Sequence, residues 1–126
     1  MQSGFKLVTI DSMRNTRPIS WLKAARKEFE EFPEDVQNDM FDALTIAAEG
    51  GKSGKAKPFK GAEGGVFEIA LKYRGDAFRT LYAVKIGADI WVIHAFQKKS
   101  KSGIKTPQME IDIIHERIKR LKEALK

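Results

Sequence analysis

Near Val66 the hydrophobic period of this chain changes from about 3.6 residues to about 2. A chain patterned this way is neither all-helical nor all-β, because helices must precede a run of antiparallel strands. Upstream of the switch, Leu22, Ala25, Phe29 and Phe32 share one face of a helix expected from Ser20, a suitable cap, to about Phe32. Pro33 ends it. A second helix is expected from about Glu34 to Glu49 on Val36, Met40, Ala43, Leu44 and Ala47, with an acidic first turn and a stop at Gly50-Gly51. These two make a helical hairpin.

Downstream, strands are expected over Val66–Tyr73, Ala77–Ile86 and Asp89–Gln97, joined at Gly75-Asp76 and Gly87-Ala88. Such turns pair residue 73 with 78 and residue 85 with 90. One face then carries Phe67, Ile69, Leu71, Tyr73, Phe78, Tyr82, Val84, Trp91 and Ile93, which is a core face. The other carries Glu68, Ala70, Lys72, Arg79, Leu81, Val92, His94 and Phe96, a surface of charges among apolar residues. Thr106-Pro107 starts a last helix, with Thr106 as cap, on a stripe of Ile111, Ile114, Ile118, Leu121 and Leu125. The expected fold class is therefore α+β: a helical hairpin, an antiparallel β-meander and a C-terminal helix. Residues 17–126 form this one domain. Residues 1–16 are an N-terminal extension, with Phe5, Leu7 and Thr9 suiting a candidate first strand.

Composition removes whole classes of chemistry. No cysteine is present, which excludes disulfides, thiolate metal sites and a cysteine nucleophile. With only two histidines, His94 and His115, neither a metal site nor a cofactor is expected. The longest strongly apolar stretch, Ile90 to Phe96, falls far short of a membrane span, and the N-terminus lacks the apolar core of a signal peptide. A soluble cytoplasmic protein with no membrane partner is expected.

The net charge of +6 is unevenly distributed. Segments 51–61 and 97–105 each carry four lysines and no acid, which leaves the rest of the chain at −2. Between Glu28 and Glu49, by contrast, there are eight acids and no lysine or arginine. Basicity gathered in two loops points to a polyanion, with nucleic acid first. The loops flank the mixed face of the meander, with Arg79 on its floor.

The segments FRTLYAV (78–84), HAFQKKSKSGIKTP (94–107) and KPFKG (57–61) resemble the HigB-like, phage-derived branch of the RelE/ParE toxin superfamily. The resemblance extends from about Pro18 to Leu125. It implies the RelE-like fold, a helix-turn-helix antitoxin as cognate partner, and a ribosome-dependent endoribonuclease acting on mRNA without a metal. By that resemblance Arg79 is the strand arginine at the scissile phosphate, where a planar fork matches two phosphate oxygens. Lys60 matches the lysine of the family's Lys-Gly turn, and Lys98 and Lys99 match its strand-exit lysines. Lys57 joins them as an RNA contact.

Attack of a ribose 2′-hydroxyl on the adjacent phosphate also needs a base. His94 and Glu68 are the candidates; the structural alternatives are a core histidine and an Arg79–Glu68 ion pair. Many relatives carry an arginine where this chain has Ala70, and Arg74 is the expected substitute. Phe96, an aromatic among cations, is a candidate platform for a base. A ParE-like gyrase inhibitor and a non-enzymatic, phage-derived nucleic-acid-binding protein are the alternative functions.

Overall fold

The computed structural model describes residues 16–99 and 106–126. The candidate strand in the N-terminal extension lies outside those residues. In chain order the elements are β1 (Ile19–Trp21), α1 (Lys23–Glu30), α2 (Glu34–Ala48), β2 (Ala56–Pro58), β3 (Val66–Tyr73), β4 (Asp76–Ala83), β5 (Ile90–Lys98) and α3 (Gln108–Ala124). The strands form one sheet in the order β1-β5-β4-β3-β2. Every pairing is antiparallel except β1 with β5. The α+β architecture expected from the period switch is the one observed.

The two edge strands depart from expectation. Ser20 does not cap a helix; it lies in β1, and its hydroxyl donates to Asp89 Oδ2 at 2.6 Å. The helix starts at Lys23, after Leu22, with no side-chain cap. β1 is held because Ile90 N donates to the Pro18 carbonyl at 2.9 Å and Leu22 N to the Val92 carbonyl at 3.1 Å. Ala56–Pro58, inside the first lysine segment, adds to the other edge through Lys57 opposite Glu68. Both strands have three residues, too few for a period of 2 to show. At α3 the cap position is Pro107 in extended conformation, one residue later than expected.

The register differs in two places. The β3–β4 turn is Arg74-Gly75, both at positive φ (54° and 88°), so Tyr73 faces Asp76 rather than residue 78. A shift of two residues preserves the alternation, so each side chain of β3 and β4 keeps its expected face. On β5 a bulge intervenes: Leu81 faces His94, whereas Tyr82 faces Val92, leaving Ile93 as an extra residue. Beyond it the faces swap. Val92 joins the core under the helical hairpin, and Trp91 and Ile93 join the opposite cluster, the reverse of the sequence assignment.

Two cores result. The first packs Ala25, Phe29, Met40 and Leu44 of the hairpin on Ile69, Phe78, Tyr82 and Val92. The second packs Ile114, Ile118 and Leu121 of α3 on Leu81, Ala83, Ile93 and Phe96. The face expected to be a mixed surface is thus half covered by α3. The half bearing Glu68, Ala70, Lys72, Arg79 and Lys98 lies outside that apolar cluster.

Candidate functional site

Cross-strand pairing sets the site. Lys57, Glu68, Leu81 and His94 stand in one row across four strands, and Ala70, Arg79 and Phe96 in the next. Lys72, Ala77 and Lys98 form a third row. All point to the α3 side. Two positions apart on one strand, side chains reach the same face, so this juxtaposition follows from alternation once the pairing is fixed.

At the centre, Arg79 Nη1 donates to Glu68 Oε1 at 2.9 Å, with the two side chains 14% and 13% exposed. Thr106, at the approach to α3, donates its hydroxyl to Glu68 Oε2 at 3.4 Å. Beside them Lys98 is only 4% exposed. Burial pushes its ammonium pKa below the ordinary lysine range and the nearby Arg79 charge adds to that, while Glu68 opposes it. Lys57 and Lys60 are exposed at the sheet edge. Together they make an exposed cationic rim beside the paired guanidinium.

Lys99 does not join this group. Next to Lys98 on an extended chain it takes the opposite side, and its Nζ lies 3.8 Å from Asp76 Oδ2. Nor does Arg74, whose guanidinium sits over the ring of Tyr73 at 5.3 Å, a residue of the hairpin face. Ala70 therefore has no arginine standing in for it from the turn. Phe96 is buried in the α3 core, its ring stacked on His94 at 5.4 Å.

His94 is 2% exposed and hydrogen-bonded at both nitrogens. Nε2 lies 2.6 Å from Glu110 Oε1, and Nδ1 lies 2.8 Å from Arg117 Nη1 and 3.2 Å from Glu28 Oε1. With the proton on Nε2, the ring donates to Glu110 and accepts from Arg117. Arg117 also grips Glu28 with two nitrogens, each at 2.9 Å. Burial would raise the Glu28 pKa, but the His94 imidazole and the Arg117 guanidinium beside the carboxylate outweigh it and hold the group at about 2. This cluster joins α1, β5 and α3. Sequence reading missed Glu28, Glu110 and Arg117. The available signal was the place of Glu28, one residue before a core phenylalanine on an otherwise amphipathic helix.

No side-chain cluster suited to a metal ion occurs among the described residues, and no described helix is long and apolar enough to cross a membrane.

The fold and its cationic row define a small α+β domain of the RelE type. Among solved structures, a mutant of the Escherichia coli toxin RelE in the free state matches with a TM-score of 0.55 at 18% identity, over 83% of this chain and 97% of that one. The toxin–antitoxin complex RelBE2 from Mycobacterium tuberculosis matches with a TM-score of 0.45 at 16% identity, over 68% of this chain and 93% of that one. The family model for the phage-derived protein Gp49-like matches residues 27–119, and the chain belongs to that family. No curated protein matches the sequence.

Proposed function

We propose that this chain is the toxin of a toxin–antitoxin system and that it acts on RNA, by cleaving mRNA on the ribosome. The observation that carries the reading is the Arg79–Glu68 pair, held between buried Lys98 and exposed Lys57 on the half-face outside the α3 core. A guanidinium oriented by a carboxylate and flanked by cations presents a planar positive group suited to a phosphate. The RelE-like fold supports the toxin assignment, as does family membership.

In the reaction the ribose 2′-oxygen bonds to phosphorus and the bond to the 5′-oxygen breaks. Arg79 holds the non-bridging oxygens as charge builds on them. Glu68 takes the 2′-proton, and Lys98, with its lowered proton affinity, supplies the proton for the departing 5′-oxygen. His94 acts at one remove, as a positioning residue of β5 beneath Phe96.

A second reading rests on the same ion pair. Glu68 is held by Arg79, and His94 is bonded at both nitrogens, so both candidate bases are engaged. That favours binding of RNA without cleavage. Induced expression with mapping of RNA 5′ ends, run beside a plasmid-supercoiling assay, separates the alternatives. New 5′ ends that vanish in Arg79→Ala support cleavage. Arg79→Lys keeps the charge but loses the fork, and its rate should fall by about 10²–10³. Growth arrest without new 5′ ends leaves the binding reading, and altered supercoiling indicates a gyrase target. Co-expression of the adjacent gene should restore growth and yield a co-purifying antitoxin.

A further inference from the structure

On the far side of α3 from the Glu28–His94 cluster, the helix meets the segment after β2. His115 Nε2 hydrogen-bonds to the Gly61 carbonyl, and Lys122 Nζ pairs with Glu63 Oε1 at 2.6 Å. Between these two ties lies a cavity of about 300 Å³ lined by Ala62, Glu63, His115, Ile118, Lys119 and Lys122. Its floor is apolar and its rim is cationic. Lys119 is exposed and makes no ion pair or hydrogen bond among the described residues, and the same holds for Lys60, which leads into the segment. The RNA chemistry placed at Arg79 uses none of these groups except Lys60.

We infer that this seam is a second RNA contact, which seats one nucleotide outside the cut with its base on Ala62 and Ile118 and its phosphate on Lys119. The inference rests on the RNA reading above. A cavity of this size suits a small planar group and is too small for a helix of a protein partner. Single-stranded RNA splays its bases, and a flat ring on an apolar floor with a lysine at the rim meets both halves of a nucleotide. Glu63 adds a preference. Its Oε1 holds Lys122, which leaves its other oxygen to accept from a base edge, and the two fused rings of adenine cover more of the apolar floor than the single ring of uracil.

The test uses the whole chain and fluorescent single-stranded RNAs of about 12 nucleotides, one of adenosine and one of uridine. Wild-type protein should bind the adenosine strand more tightly. Lys119→Gln should weaken binding several-fold and lower the salt slope by about 0.7. Ala62→Glu, which puts a charge on the floor, should weaken it about tenfold and erase the base preference. If both variants melt like wild type and bind like wild type, the seam takes no nucleotide, while the RNA reading stands. Failure of wild-type protein to bind either strand would overturn the seam alone, because cleavage on the ribosome is read separately by the new 5′ ends. If Ala62→Glu unfolds, Lys119→Gln decides alone. Should Lys119→Gln spare RNA binding but abolish capture of the adjacent gene's product, the seam is a protein interface and the inference is wrong.

Discussion

Under the helical hairpin the sheet presents Ile69, Tyr82 and Val92 to Phe29, Met40 and Leu44, and rings pack in series from Trp21 through Phe29 to Phe32 and Phe78. Under α3 it presents Leu81, Ile93 and Phe96, and beside them the His94 imidazole, bonded to the Arg117 guanidinium of α3, which in turn grips the Glu28 carboxylate of α1. Apolar contact is non-directional and tolerates sliding, whereas hydrogen-bonded charges have one satisfactory geometry. The first face supplies bulk stability. The second fixes where α3 lies, and with it the position of Thr106 against Glu68 and the rim of the candidate site.

The largest expected effect is on the hairpin face. Leu44 is fully buried, so Leu44→Ala should cost about 3 kcal/mol through lost transfer energy and the cavity left behind. Denaturant unfolding measures it. Arg79→Ala, by contrast, should leave the unfolding midpoint nearly in place while abolishing toxicity. Unfolding of Arg79→Ala would make the Arg79–Glu68 pair structural, and the contrast between the faces would fail.

Next is the α3 latch. The Glu28 carboxyl, at about 2 instead of 4.5, is depressed in the folded state. Its contribution is therefore full above pH 4.5 and drains away as pH falls towards 2. Glu28 is 31% exposed, so solvent screening reduces its worth to about 1–2 kcal/mol. Glu28→Gln should lower stability by that amount at pH 7 and flatten the acid limb of the stability curve. An acid limb identical to wild type would mean that α3 is held by its apolar stripe alone.

The hairpin face was legible because its signals are long and periodic. Val36, Met40, Leu44 and Ala47 mark a helix, and Phe67, Ile69 and Leu71 mark a strand over enough residues for the period to show. The α3 face was less so, for separate physical reasons. The bulge at Ile93 leaves no trace in composition, yet it exchanges Val92 with Trp91 and Ile93. The three-residue strands β1 and β2 are defined by backbone hydrogen bonds to distant partners. At the site, Arg79, Glu68 and Lys57 share a face because of pairing parity, which the two-residue register shift happened to preserve. The Glu28–Arg117 bond joins residues 89 apart in sequence, and nothing local announces it.

A smaller effect separates the lysines by face. Lys57 stands at the edge of the α3 side and Lys60 is exposed just beyond β2, while Lys99 turns towards Asp76. Lys57→Gln and Lys60→Gln should each reduce the salt slope of RNA binding by about 0.7, and Lys99→Gln should leave it unchanged. Equal slopes for all three would mean that the polyanion does not distinguish the faces.

The smallest effect concerns Arg74. It occupies the first position of a two-residue turn at φ 54°, followed by Gly75 at φ 88°, the geometry in which Asn-Gly is preferred. An ordinary side chain in that region costs about 1–2 kcal/mol, which Asn relieves in part. Arg74→Asn forfeits the contact over Tyr73, worth about 0.5 kcal/mol at an exposed position. The net should be a gain of roughly 0.5 kcal/mol, or a melting temperature higher by about 2 °C. Because the guanidinium lies over a hairpin-face ring, the substitution should leave RNA cleavage and binding untouched. A variant that melts higher but loses activity would bring Arg74 back as the arginine that Ala70 lacks, reaching the phosphate from the turn. A variant that melts higher with full activity leaves Arg79 as the arginine of the site.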